Sequence, residues 1–275
     1  MRATFLGTGA GTSTPGRAGT SILIDAGAER LLLDCGNRSF DRLVDLQIEP
    51  ATIDRIFISH LHPDHVLGLS EFVSCMAFPG DHLPAEVVGP PGTAAFVRSA
   101  VHAASLVTGR PRREYGAPLD VPVSESVDGD SAAYPGYIVH TVDVPHAHFL
   151  VCQARRIEAE GKVLVFSGDT RADPETMVPL AQGADILIHE AWSNAGLNRW
   201  TKDDDPGKAQ AIRRAFETTH ALADTVGRIA REAGVRTLVL THLNPGERAD
   251  ELINTVRAHY SGEVVVAVDR LSLAV

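Results

Sequence analysis

Several features that would assign a protein to a particular class are scarce in this sequence. Only three of the 275 residues are cysteine and none forms a CxxC pair, so we expect free thiols and a reducing compartment rather than a disulfide framework. No apolar run approaches the ~18–20 residues of a membrane span. The strand-like Thr4-Phe5-Leu6 leaves no room for a signal peptide. These absences predict a cytoplasmic protein without a membrane partner.

Basic residues are also in deficit. The chain has 25 Lys and Arg against 35 Asp and Glu, a formal net charge of −10. Nucleic-acid binding draws much of its affinity from basic side chains that neutralise phosphates. The single basic cluster, at residues 110–113, is short and typical of a solvated loop. The charge therefore disfavours a nucleic-acid partner.

The length and the 44% hydrophobic content are sufficient for one large α/β domain covering residues 1–275. Hydrophobic periodicity predicts three strands within residues 3–34 and helices at 38–48, 64–77 and 93–107. Residues 108–135 are predicted to mix loop and short strands. Later strands are predicted at 137–144, 162–166, 186–188 and 237–240, with a further helix at 221–233.

One stretch concentrates side chains that bind metals. After the apolar residues 56–58 come three histidines and an aspartate within six positions: His60, His62, Asp64 and His65. Pro63 places this cluster at a strand-to-helix turn. His60 and His62 can converge because alternate residues of an extended chain point the same way. Imidazole and carboxylate together suit zinc, and also manganese or iron.

The four later strands each end in a residue that can bind a metal or a proton. These ends carry His146 and His148, Asp169, the pair His189-Glu190, and His242. In α/β folds the functional site forms at the carboxyl ends of the strands. The recurrence predicts that these side chains join the 60–65 cluster.

The pattern His-x-His-x-Asp-His resembles the signature of the metallo-β-lactamase superfamily. Leu6-Gly7-Thr8-Gly9, followed by Thr14-Pro15-x-Arg17, is similar to the N-terminal segment of its ribonuclease Z-like and arylsulfatase-like branch. The resemblance implies a four-layer αββα sandwich and two divalent metal ions. Zinc is the metal it favours.

The resemblance also implies the distribution of the ligands. The first metal would be held by His60, His62, His146 and Asp169, and the second by Asp64, His65, Asp169 and His242. His148 lies two residues beyond His146 and is the alternative ligand, although His146 is preferred. Asp34, at the end of an earlier strand, either orients a ligand histidine or only starts a turn.

Three residues are assigned to catalysis. Asp64 belongs to the metal motif, and His189-Glu190-Ala191 resembles the His-Glu-Ala-Thr motif of ribonuclease Z-like enzymes, with Trp192 in place of threonine. His220 occupies the position of their second functional histidine. The resemblance implies that Glu190 supports His220 as a general acid. In the alternative, the pair only links a loop to a helix cap.

Residues 191–219 contain both tryptophans, Trp192 and Trp200, between two presumed active-site segments. We predict that this segment is a lid and that the tryptophans and His148 line the substrate pocket. The alternative is a surface loop whose tryptophans pack on the core.

The predicted reaction is hydrolysis of a small anionic ester, a phosphodiester or a sulfate ester, by a hydroxide held between the two metals. A lactonase or another carboxylic ester or thioester hydrolase is the alternative. Processing of tRNA 3′ ends is a minor alternative, because residues 146 and 169 are only 23 positions apart and leave no space for the tRNA-gripping arm of ribonuclease Z. Relatives suggest a homodimer.

Overall fold

The computed structural model describes residues 1–11, 14–75, 85–107 and 121–275. Its strands form two seven-stranded sheets. The first sheet has the spatial order β14 (Ser272–Ala274), β1 (Arg2–Gly7), β2 (Ser21–Ala26), β3 (Glu29–Leu33), β4 (Arg55–Phe57), β5 (Glu86–Gly89), β6 (Val123–Glu125). The second has the order β13 (Glu263–Val266), β12 (Thr237–Thr241), β11 (Ile186–Glu190), β10 (Lys162–Phe166), β9 (Cys152–Ala159), β8 (Tyr137–Val144), β7 (Ser131–Tyr134).

Each sheet is half antiparallel and half parallel. The hairpin-linked strands β1 to β3 and β7 to β10 run antiparallel. Strands β3 to β6 and β10 to β13 are parallel neighbours. The described helices are α1 (Ser39–Asp45), α2 (Pro63–Cys75), α3 (Thr93–Val107), α4 (Pro174–Leu180), α5 (Asn194–Trp200), α6 (Pro206–Thr219), α7 (Ala223–Glu232) and α8 (Ala249–Arg257).

Alternation of side chains along the strands creates three apolar layers. Leu31 and Leu33 of β3 point into the space between the sheets, where they join Leu164 and Phe166 of β10. Leu32 points to the other face and joins the cluster under α1 to α3. A matching cluster lies between the second sheet and helices α4, α7 and α8. Both faces of both sheets are therefore covered, which gives the predicted αββα sandwich.

The predicted strands and all four predicted helices are confirmed, and their ends either coincide or differ by one to three residues where the structure describes them. The basic cluster at 110–113 lies outside the described residues. Residues 191–219, for which the sequence pattern predicts no helix, hold two helices, α5 and α6. His220 follows α6 and does not begin α7. None of the described helices is both long and apolar enough to cross a membrane.

Candidate metal centre

The carboxyl ends of strands from both sheets meet at one edge of the sandwich. The backbone N–H of Gln153 in the second sheet donates to the carbonyl of Ser59 in the first, at 2.9 Å. Gly168, in the left-handed region at φ 57°, would place a Cβ 2.9 Å from that of Ser59. The close approach joins the two loops that carry the candidate ligands. The ends of β3, β4, β8, β10, β11 and β12 deliver Asp34, His60, His62, Asp64, His65, His146, Asp169, Glu190 and His242.

Four of the predicted ligands form one cluster. His60, His62, His146 and Asp169 each offer a donor atom, and these atoms lie within 4.8 Å of one another. Nδ1 of His62 is 2.9 Å from Nε2 of His60 and 3.1 Å from Nε2 of His146. His146 is thus part of the cluster, whereas His148 is exposed and its ring contacts Phe149. The structure places His146, and not His148, at the predicted first metal position.

A second cluster adjoins the first. Asp64, His65 and His242 also have donor atoms within 4.8 Å of one another. Asp169 lies between the clusters: its Oδ1 is 3.4 Å from Nε2 of His65, and its Oδ2 is 3.3 Å from Nε2 of His242. The same Oδ2 is 3.7 Å from Nε2 of His60. One carboxylate therefore faces both predicted metal positions.

Asp34 orients histidines of both clusters. Its fully buried carboxylate accepts hydrogen bonds from the backbone N–H of Ser59 at 2.6 Å, the Ser59 hydroxyl at 2.8 Å and Nδ1 of His65 at 2.7 Å. Because the Ser59 hydroxyl donates to Asp34, it accepts from Nδ1 of His60, 3.0 Å away. Both histidines then keep the Nε2 lone pair free to bind a cation. Of the two roles considered for Asp34, the structure supports the orienting one.

The electrostatics of the cluster fit metal binding. Burial and the neighbouring His65 hold the pKa of His60 well below its usual value. Burial and His146 lower the pKa of His62 to about 4. Burial alone would raise the pKa of Asp169, but His242 and His65 hold it well below its usual value. Neutral His60 and His62 facing the ionised carboxylate of Asp169 match the ligand set that zinc and similar divalent ions require.

Two buried imidazole nitrogens without hydrogen-bond partners also support metal binding. Nε2 of His65 and Nδ1 of His242 have no hydrogen-bond partner among the described residues, although both are inaccessible to solvent. Such atoms cost about 1–3 kcal/mol when nothing binds them. A cation between His65 and Asp169 would satisfy the first of them, so the residues present fit the implied metal.

Glu190 and His220 form the predicted pair. Oε2 of Glu190 lies 2.8 Å from Nδ1 of His220, and Oε1 accepts from the backbone N–H of Thr170 at 2.6 Å. Burial lowers the pKa of His220, but the Glu190 carboxylate outweighs it and raises the pKa to about 9. Nδ1 of His220 is also 3.9 Å from Asp169. The Glu190–His220 pair therefore lies beside the candidate metal ligands, and it does more than link a loop to a helix cap.

A cavity of about 380 Å³ opens over the clusters. Its lining includes the charged or metal-binding side chains of His62, Asp64, Asp169, His220 and His242. The remaining lining residues are Ala10, Gly11, Thr14, Trp200, Phe216 and Pro245.

Trp200 is therefore in the predicted pocket, but two other predicted pocket residues are elsewhere. Trp192 is only 1% exposed, and its Nε1 donates to the carbonyl of His220 at 3.2 Å. The side chain of His148 points to solvent and is not part of the cavity wall. Trp192 lies behind the wall because its ring packs against Phe216, with centroids 5.7 Å apart.

Three functional contacts were not predicted from the sequence. Phe216 lines the cavity, the backbone N–H of Gly11 donates to Asp64 at 2.7 Å, and Nδ1 of His146 donates to the carbonyl of Thr219 at 2.8 Å. A signal for α6 existed, because Asp205-Pro206 is a typical helix start and Asp205 caps the helix. That signal predicts the helix but not which of its faces lines the cavity.

The sandwich and its metal cluster define the chain as a metal-dependent hydrolase of ester bonds with the metallo-β-lactamase fold. Residues 1–198 match the family model described as Anti-Pycsar protein Apyc1. Ribonuclease Z of Myxococcus xanthus is 31% identical over 98% of this chain and 96% of its own length. The chain belongs to this Apyc1 family, within the ribonuclease Z-like branch of the metallo-β-lactamase superfamily.

Solved structures agree on the fold. The metallo-β-lactamase fold protein YhfI of Bacillus subtilis superposes with a TM-score of 0.76 at 20% identity, over 99% of both chains. Zn(2+)-bound PqqB of Methylobacterium extorquens gives a TM-score of 0.70 at 17% identity, over the whole of both chains.

Proposed function

We propose that this protein is a binuclear zinc hydrolase that cleaves small phosphodiesters. The observation that carries the proposal is the position of Asp169, which faces both ligand clusters and lies beside the Glu190–His220 pair. This arrangement supplies two cation positions and a proton donor at the edge of one cavity. Phosphodiester hydrolysis needs a nucleophile, charge stabilisation and protonation of the leaving oxygen.

His60, His62, His146 and Asp169 would hold one ion, and Asp64, His65, His242 and the shared Asp169 the other. Bound divalent metal supplies a water with a pKa near 7 and stabilises negative charge on the ester oxygens. Zinc is proposed because the donors are nitrogen and oxygen atoms and because a similar fold, PqqB, is described as zinc-bound. Elemental analysis of the purified protein distinguishes zinc from manganese and iron.

The protein's own groups organise the rest of the reaction. Glu190 accepts from Nδ1 of His220 and so fixes the imidazole at the cavity edge. The other ring nitrogen of His220 can then give its proton to the leaving alkoxide. Asp64 accepts a hydrogen bond from the backbone N–H of Gly11 and lies 3.1 Å from Nε2 of His242, so its carboxylate is fixed against the second cluster.

Charge favours an anionic substrate. Two divalent ions exceed the charge of the two ligand carboxylates, Asp64 and Asp169, so the centre is cationic when loaded. A cavity of about 380 Å³ is within the usual range for a small-molecule site. A phosphodiester monoanion satisfies both conditions, and a sulfate ester has the same charge.

Ribonuclease activity on tRNA 3′ ends is the second candidate. It is favoured by the name and the 31% identity of the Myxococcus relative, which aligns over nearly the whole chain. The net charge of −10 and the short span between His146 and Asp169 weigh against it. Hydrolysis of a small phosphodiester requires neither a basic surface nor a tRNA-gripping arm.

A substrate panel separates the candidates. Zinc-loaded protein is offered bis(p-nitrophenyl) phosphate, p-nitrophenyl sulfate, p-nitrophenyl acetate, a γ-lactone and a tRNA precursor with a 3′ trailer. We expect metal-dependent cleavage of the phosphodiester, with two zinc ions per chain by elemental analysis. Cleavage of the tRNA precursor alone would establish the second candidate, and a lactone-only profile would contradict both.

A further inference from the structure

One side of the cavity differs in chemistry from the metal clusters. Trp200 and Phe216 form it, with ring centroids 5.8 Å apart and planes at 74°. Trp200 is 39% exposed although it is a large aromatic residue. Phe216 extends the surface to the candidate acid, because its ring lies 4.7 Å from that of His220 at 34°. We call Trp200 and Phe216 the aromatic wall.

Trp200 and Phe216 themselves carry no charge, and the neighbouring imidazole of His220 is paired with the Glu190 carboxylate. Among the described residues that line the cavity, none is lysine or arginine. Beside the two rings lie Pro245 and Ala10, which are also uncharged. A substrate group bound here would lose its contact with water and pack against the faces of the two aromatic rings. Flat rings gain most from such contacts.

The helix behind the aromatic wall has little else to hold it. None of the fourteen residues of α6 is buried. Arg213 ties α6 to α5 by donating to the side-chain oxygens of Asn194, at 2.7 Å, and Asn198, at 2.5 Å. Phe216 makes ring contacts with Trp192, Trp200 and His220. Phe216 is thus the main aromatic anchor of α6.

The end of the same helix holds two groups of the site. The backbone N–H of His220 donates to the carbonyl of Phe216, at 2.9 Å. The preceding carbonyl, of Thr219, accepts from Nδ1 of the ligand His146. A ligand pressed against Phe216 therefore contacts the element that sets both the candidate acid and one metal ligand.

We propose that the aromatic wall is a binding subsite for an uncharged, flat ring on the ester substrate, and that Phe216 is its specificity-determining residue. The proposal deepens the proposed function and rests on it for the nature of the ester. The ring stacks on the wall while the phosphoryl group lies at the ligand clusters. A bulky group that is not flat, or a ring with its own negative charge, loses this contact.

Binding of inert analogues tests the proposal without turnover. Phenylphosphonate and cyclohexylphosphonate share the metal-binding group and similar size, but only the first is flat. Calorimetry on zinc-loaded protein should show phenylphosphonate binding ~3- to 10-fold more tightly, as expected for one aromatic contact. 4-Carboxyphenylphosphonate, which adds a negative charge to the ring, should bind more weakly than phenylphosphonate.

Matched variants locate the selectivity. Phe216→Leu should remove most of the preference for the phenyl over the cyclohexyl analogue. Phe149→Leu serves as the control, because Phe149 is 68% exposed and its ring lies 6.2 Å from that of His62, yet it is not part of the cavity wall. Phe149→Leu should keep the preference.

The outcomes are separable from those of the proposed function. Equal affinity of the wild type for phenylphosphonate and cyclohexylphosphonate would overturn the subsite. So would an equal loss of the phenyl preference in Phe216→Leu and Phe149→Leu. Trp200→Leu, at a partly exposed position, gives the same test if Phe216→Leu does not fold. A preserved phenyl preference in a protein that cleaves no phosphodiester would refute the proposed ester while the subsite stands.

Discussion

At the scale of single residues, Asp34 shows how one buried carboxylate can serve two metal positions. It accepts from His65 directly and from His60 through the Ser59 hydroxyl. The three donors around it leave no solvent contact, and the residue is 0% exposed. An asparagine at this position would retain one acceptor oxygen but would present an N–H₂ group where an acceptor is needed.

We therefore expect Asp34→Asn to weaken zinc binding about 10- to 100-fold, as is typical when the partner of a ligand histidine is lost. Competition with a chromophoric chelator measures the affinity. Asp25→Asn is the control, since Asp25 pairs with Arg30 on a partly exposed surface. Unchanged zinc affinity in Asp34→Asn would show that His65 needs no orienting partner.

A second comparison separates metal binding from proton donation. Asp169→Ala should remove metal and activity together, because Asp169 is shared by both clusters. His220→Ala should retain both metals while turnover of an alkyl diester falls about 10²- to 10⁴-fold, the usual contribution of a general acid. Zinc content and kcat are measured on the same preparations.

The leaving group supplies the internal control for His220. A p-nitrophenolate leaves adequately without a proton, so His220→Ala should slow bis(p-nitrophenyl) phosphate much less than an alkyl diester. Intact turnover of the alkyl diester in His220→Ala would exclude the acid role. Loss of zinc in that variant would instead make His220 a contributor to the metal site.

The members of the two clusters could be predicted from sequence because each is encoded locally. The spacing from His60 to His65 at a strand end is visible without a structure, and Asp169, Glu190 and His242 each end a clear strand. The contacts of Thr219 and Phe216 could not be predicted in this way. A backbone carbonyl has no sequence signature, and the inward face of α6 is defined only by its partners.

At the scale of elements, close packing of glycines fixes the helix that begins with the metal motif. A Cβ on Gly68 of α2 would lie 2.0 Å from the carbonyl oxygen of Gly36. The backbone N–H of Cys35 donates to the carbonyl of His65, one helical turn before Gly68. The loop after β3 and helix α2 therefore pack backbone to backbone, and this contact places His65.

We expect Gly68→Ala to destabilise the fold by about 1–3 kcal/mol, since backbone must move to admit the methyl group. Gly207→Ala is the control: in the first turn of α6, its nearest contact would be a side-chain oxygen of Asp205 at 3.1 Å. Alanine favours the helix there by up to ~1 kcal/mol. Urea denaturation of both variants gives the comparison.

Helices α5 and α6 show where element prediction from sequence was incomplete. The sequence pattern predicts no helix between residues 191 and 219, where glycine and proline interrupt it. Pro206 and Gly207 instead occupy the first turn of a helix, where neither breaks it. Ser193 caps α5 by accepting from the backbone N–H of Gly196. Whether the segment acts as a lid stays a prediction.

At the scale of the whole molecule, the three thiols differ in how far the sandwich buries them. Cys35 and Cys152 are 0% and 1% exposed, whereas Cys75, in α2, is partly exposed. We expect one thiol to react readily with a disulfide reagent in the native protein and all three after denaturation. Rapid reaction of a second thiol in the native state would indicate that the layers open around Cys35 or Cys152.

The burial of Cys35 also predicts how stability changes at alkaline pH. Burial, reinforced by the Asp34 carboxylate, raises the pKa of this thiol from 9.0 to about 12 despite a hydrogen bond with Ser39. Above pH 9 the unfolded chain loses the proton while the folded protein keeps it, so the unfolded state binds fewer protons. The free energy of unfolding must then fall as pH rises.

The fall attributable to Cys35 approaches about 1.4 kcal/mol per pH unit between the two pKa values. Cys35→Ala removes this contribution while leaving the tyrosines and the other thiols to titrate as before. Relative to the wild type, Cys35→Ala should therefore become more stable as the pH rises from 8.5 to 10.5. Urea titrations across that range measure it. A constant difference would contradict this expectation, because it would mean that Cys35 ionises equally in the folded and unfolded states.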